Sequence, residues 1–112
     1  MKRYCLTLDL KNDPELIRKY EEHHQAVWPE VKRSIKEAGI EEMEIYRYGT
    51  RLFMIMETNA DFSFETKQQA VQDNSKVQEW EELMWKYQQQ LPGAVKGEKW
   101  VIMNRIFQLT EY

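Results

Sequence analysis

The two histidines of this chain are neighbours, His23 and His24, inside the stretch YEEHHQAVWPEV from Tyr20 to Val31. An imidazole with an ordinary pKa of about 6.5 gives and takes protons near neutral pH, so the chemistry on offer is general acid–base catalysis. Tyr20 and His24 are four residues apart, which stacks them on one face of a helix. His23 is turned from that line by about 100°, toward the more polar side. Trp28-Pro29 follows, and a proline there disturbs helical backbone and makes room beside the pair. A structural histidine on a half-buried face fits the same spacing. Pattern alone leaves both roles open for His24.

No metal-ligand spacing, phosphate-binding glycine loop or Ser-His-Asp arrangement accompanies the pair, and two adjacent histidines are a weak metal signal. No metal or cofactor is expected. The acidic EWEE run, Glu79–Glu82, reads as a solvated helix face rather than paired catalytic carboxylates. Aromatic content is more telling: four Trp and six Tyr exceed what a core of this size needs. Such rings, flat and apolar with a polar edge, stack on sugars or fill subunit interfaces. Val77, Trp80, Met84, Tyr87 and Leu91 make a heptad-like stripe that puts Trp80 on a buried face. Trp85 lies about 140° around the helix, partly exposed or packed on a partner. Either tryptophan suits a sugar platform.

The elements that hold these residues follow from punctuation and period. At 112 residues the chain fits one domain, residues 1–112. Arg3–Leu10 alternates as a strand. Asp13 and Pro14 cap and begin a helix that Pro29 bends or restarts and Gly39 stops. Met43–Tyr48 and Arg51–Thr58 form a hairpin around Gly49. Ser63 caps a short helix over Phe64–Gln72. A Ser75–Gln78 capping box opens a second main helix running to about Leu91, and Lys99–Leu109 reads as a last strand. The order βαββαβ is the α+β, ferredoxin-like pattern, an antiparallel sheet with helices on one face. Yet Leu52–Met56 and Trp100–Phe107 are apolar on both alternating sets, and a sheet face open to water should be polar. A second copy is the expected cover, giving a homodimer of the dimeric α/β barrel kind.

Composition narrows the partners. A net charge of −3 argues against nucleic acid, which calls for clustered Lys and Arg. No run of 18 apolar residues exists, so no membrane span is expected. The first residues lack the length and cleavage site of a signal peptide, and Cys5, the single cysteine, cannot form an internal disulfide. The expected compartment is the cytoplasm.

At this point the residues carry a resemblance. Tyr20, His24, Trp28, Pro29 and Glu30 spell Y-x-x-x-H-x-x-x-W-P-E, which resembles the signature of the L-rhamnose mutarotase family. The similarity continues through Lys36 and Gly39, Ile45-Tyr46, Leu52-Phe53 and VQEW at Val77–Trp80. It spans nearly the whole chain, and the Tyr/His/Trp-Pro block is its specific part. What it implies is a cofactor-free isomerase that interconverts the anomers of a deoxy monosaccharide. It implies His24 as the proton donor and Tyr20 as a hydrogen-bonding substrate ligand. The family's tryptophan pair, which contacts substrate in VQRWW, falls on Trp80 and Glu81, and a substrate-contacting tyrosine falls on Met43. Glu81 and Met43 depart from the pattern, and Trp85 offers a rival alignment. The chemistry therefore transfers better than the sugar, with L-rhamnose first and L-fucose as the alternative. Cofactor-free monooxygenases of the same dimeric fold, and a sugar-binding module without catalysis, are the competing classes.

Overall fold

The computed structural model describes residues 2–95 and 98–110. Alternation works as expected in β1 (Lys2–Leu10): Leu6, Leu8 and Leu10 are buried, while Cys5, Thr7 and Asp9 lie on the other face. The Asp13 carboxylate then accepts from the backbone N–H groups of Glu15 and Leu16 at 3.0 and 3.3 Å, starting α1 (Pro14–His24). Pro14 stands where its missing N–H costs nothing. α1 stops at His24. Trp28 takes extended backbone (φ −56°, ψ 134°), as a residue before proline must, and α2 (Pro29–Glu37) restarts from it.

β2 (Ile40–Tyr48) and β3 (Arg51–Thr58) form the expected hairpin, with Tyr48 opposite Arg51 across Gly49-Thr50. Gly49 has φ +59°, which a two-residue turn with glycine first requires. β3 lies between β2 and β1, and every pairing is antiparallel. α3 (Phe64–Gln72) and α4 (Ser75–Trp85) complete the helices. Leu10 and Leu52 pack against Tyr20, Val31, Trp80, Met84 and Tyr87 in one cluster, and Leu6, Ile40, Met54, Met56 and Phe62 form another. The result is an α+β fold of ferredoxin-like order, with the helices on one face of an open antiparallel sheet.

Three expectations need correction. The N-cap of α4 is Asn74, whose side-chain oxygen accepts from the N–H groups of Lys76 and Val77, so Ser75 begins the helix instead of capping it. Gln78 donates to the carbonyls of Val71 and Gln72 and ties α4 to α3. α4 ends at Trp85, well short of Leu91. Lys11 N–H donates to the Tyr87 carbonyl at 2.9 Å, and the next two residues become β4 (Gln88–Gln89) on the edge of β1. Pairing to β1 thus overrides the helical stripe at Tyr87.

The last strand is shorter than Lys99–Leu109. β5 (Val101–Ile102) pairs Leu6 and Thr7, farther along the edge that β4 uses. Met103 N–H donates to the Cys5 carbonyl at 2.8 Å, and beyond it the chain to residue 110 pairs with no strand among the described residues. The doubly apolar reading of β3 has a counterpart. Leu52, Met54 and Met56 are buried, while Phe53 and Ile55 sit half-buried on the face without helices.

Gly39, with φ +100°, joins α2 to β2. Gly39→Ala should cost about 1–3 kcal/mol, since a side chain at positive φ is strained. Its new Cβ would also lie 2.8 Å from Asn59 Oδ1, an oxygen already accepting from the Asp61 N–H. Gly49→Ala meets open space and should cost less. Urea unfolding of both variants checks this, and a larger loss for Gly49→Ala would contradict it.

Candidate active site

The C-terminal turn of α1 places Tyr20 under His24, with ring centroids 4.4 Å apart. His24 Nδ1–H donates to the Tyr20 carbonyl at 2.9 Å. A neutral imidazole carries one proton, so this bond assigns it to Nδ1 and leaves Nε2 as the basic nitrogen. No side chain or backbone group among the described residues occupies Nε2. Burial penalises the imidazolium and holds the His24 pKa below its usual value; the Tyr20 carbonyl opposes that shift and the neighbouring His23 adds to it.

Tyr20 is buried, and burial pushes its phenol up to about 12. The hydrogen bond from Gln88 works against that rise and the charge of Glu81 adds to it. The phenol therefore remains a donor at any physiological pH. Beside the pair lies a pocket of about 500 Å³ between α1 and the hairpin, within the range of small-ligand sites. Ile45 and Leu52 give it an apolar floor, and Gln25 and an ion pair between Glu21 and Arg47 give it a polar rim. Arg47 is held further by donating from Nη1 to the Gly49 carbonyl at 2.8 Å.

The other residues singled out from sequence are distributed around this pair. Trp80 is 6% exposed and belongs to the core; its ring lies 5.7 Å from His24 and 5.2 Å from Trp28, edge-on to both. Glu81 is half-buried with its carboxylate 3.3 Å from Lys99 Nζ, and that ammonium also stands 5.2 Å from the centre of the Trp85 ring. Met43 packs in the cluster of Met54, Met56 and Phe62 and does not line the pocket. His23 corrects an expectation. It is half-buried rather than on a polar face, its Nε2 3.2 Å from the Tyr87 hydroxyl and its ring edge-on to Trp80. Tyr87 and Gln88 were missed as partners of α1. Their one sequence signal is Gln88 itself, a polar residue four past Met84 where a continued helix would have kept it on the buried face.

The site is thus an uncharged His/Tyr pair beside a polar-rimmed pocket on an antiparallel, ferredoxin-like domain. A family model for L-rhamnose mutarotase matches residues 3–109, and the chain belongs to that family, whose members are isomerases that interconvert sugar anomers. An L-fucose mutarotase of Xanthomonas campestris pv. campestris is 45% identical over 113 positions, covering 99% of this chain and 90% of that protein. The solved structure of an L-rhamnose mutarotase from Formosa agariphila superposes with a TM-score of 0.72 at 20% identity, covering 98% of this chain and 100% of that one. A dimeric ferredoxin-like protein from an uncultured marine organism gives 0.54 at 12% identity, over 96% of this chain and 91% of that one. No helix among the described residues is long and apolar enough to cross a membrane.

The buried imidazole has a measurable consequence. Its folded pKa lies below the unfolded value of about 6.5, so the native state binds fewer protons than the unfolded chain as pH falls. The stability it contributes is full above pH 6.5 and is lost as pH drops through the folded pKa. Thermal unfolding from roughly pH 7.5 to 5 should show a steeper fall for the wild type than for His24→Asn, which has no such titration. Parallel profiles would contradict the burial of His24.

Proposed function

We propose that the chain interconverts the α and β anomers of a 6-deoxy-L-hexopyranose, with His24 as the proton-carrying group and Tyr20 as a sugar ligand. The observation that carries this reading is the His24 Nδ1 bond to the Tyr20 carbonyl, which leaves a basic Nε2 on a residue lining the pocket. In ring opening, Nε2 takes the anomeric hydroxyl proton as the C1–O5 bond breaks and the C1–O1 bond becomes a carbonyl. The imidazolium so formed gives the proton to O5. Both oxygens are bonded to C1 in the closed sugar, so one nitrogen can serve both. Rotation about C1–C2 and the reverse steps then close the other anomer. A depressed His24 pKa favours this use, because the neutral base predominates at pH 7.

The pocket's apolar floor and polar rim suit a sugar that carries both a methyl group and hydroxyls. L-fucose becomes the first substrate to test, supported by the 45% identity to an L-fucose mutarotase. L-rhamnose, placed first by the resemblance, is the second reading and is favoured by the family model. The two sugars differ in configuration at C2 and C4, and Met43 and Glu81 depart from the family pattern at substrate positions. The single free thiol, Cys5, accords with a cytoplasmic setting.

Anomer exchange measured by NMR across 6-deoxyhexoses tests this. His24→Ala should slow exchange by about 10²–10⁴-fold on protein verified as folded. Tyr20→Phe should chiefly raise KM, through one hydrogen bond worth about 0.5–1.5 kcal/mol. Folded His24→Ala with wild-type exchange on every sugar would end the mechanism.

We propose further that the protein works as a homodimer. Past β5 the chain exposes Ile106, Phe107 and Leu109 at 97, 73 and 87%, and Ile106 and Phe107 line one cleft together with Phe53 of β3. Large apolar side chains exposed to this degree around one cleft mark an interaction site. A second copy with the same face satisfies it by two-fold symmetry. Sedimentation at micromolar concentration should give twice the chain mass, and a monomer would refute it.

A further inference from the structure

Among the described residues, Gln88 is a buried polar side chain with half of its amide left unpaired. It is 5% exposed, paired through its backbone with Leu10 and set beside the cluster of Leu10, Leu52, Trp80 and Met84. Its Nε2 lies 3.4 Å from the Tyr20 hydroxyl, and its Oε1 is buried with no hydrogen-bond partner. An unpaired buried carbonyl is costly, and methionine would fill the same volume without that cost. Something other than packing keeps the amide.

Resting on the reading of Tyr20 as a sugar ligand, we propose that Gln88 is a positioning residue that aims the Tyr20 hydroxyl proton into the sugar pocket. A phenol has one proton to give and lone pairs to receive. When the Gln88 N–H donates to the phenolic oxygen, the phenol's own proton must turn elsewhere. No acceptor for it exists among the described residues, and Tyr20 lines the pocket. A sugar oxygen there completes the pair. Reversing the amide would invert the outcome: its oxygen would capture the phenol proton and compete with the sugar.

Gln88→Met, nearly isosteric, separates these cases, and Gln88→Leu serves if methionine is not accommodated. The variant should stay folded with a melting temperature near that of wild type, since the unpaired Gln88 oxygen is gone while the Tyr20 hydroxyl loses its donor. Its KM for anomer exchange should rise about two- to tenfold with kcat little changed. In a Tyr20→Phe background the same substitution should change nothing, and the ¹³Cζ resonance of Tyr20 should move in the single variant. A wild-type or lower KM in folded Gln88→Met overturns the proposal, as does an undiminished effect on the Tyr20→Phe background. If Tyr20→Phe raises KM and Gln88→Met does not, this inference alone fails. If Tyr20→Phe itself keeps the wild-type KM, the reading of Tyr20 as a sugar ligand fails with it.

Discussion

A hydroxyl carried into an apolar core must find a partner there, and the Tyr20 phenol imposes that requirement on much of this fold. The group that meets it is Gln88, far along the chain, where α4 has ended at Trp85 and the backbone has turned onto the edge of β1. The same turn brings the Tyr87 hydroxyl to His23. Consecutive residues, Tyr87 and Gln88, thus fasten the last turn of α1 at two points. His24 follows these fastened residues, with its own Nδ1 tied to the Tyr20 carbonyl. Few degrees of freedom are left to the imidazole, and preorganisation of that kind suits the proton-carrying role proposed for it.

Burial acts on the two rings in opposite directions and arrives at one result. It lowers the His24 pKa and raises that of Tyr20, so near neutral pH both side chains are uncharged. A neutral pair suits a neutral substrate, which brings no counter-charge to offset a buried ion. The charges sit at the rim instead, where Glu21 and Arg47 neutralise one another.

The features legible in the sequence are those set by neighbours in the chain. Asp13-Pro14 as a helix start, the break at Trp28-Pro29, the Gly49 turn and the stacking of Tyr20 on His24 all follow from spacing of four residues or fewer. The features that escaped depend on contacts made across 64 and 68 residues: Tyr87 with His23, and Gln88 with Tyr20. A stripe at Val77, Trp80, Met84 and Tyr87 is the same string whether the last of them is helical or not, and only β1 decides. Ser75 lost the N-cap to its neighbour Asn74 because both residue types cap well, and local signals separate them poorly. Met43 and Glu81 entered through family resemblance alone, and neither lines the pocket.

The divided last strand bears on how the molecule comes to exist. β1, near the start of the chain, waits on one edge for β4 and β5, which are made last; its other edge is filled by β3, much nearer in sequence. Closing so long a loop costs chain entropy before any contact repays it, which slows folding. On the ribosome the N-terminal portion emerges first, so α1 is out with Tyr20 and His24 long before Tyr87 and Gln88 can reach it. Fastening of the Tyr20–His24 pair is therefore a late event of folding, and a chain cut short before β4 carries both rings without the contacts that hold them still.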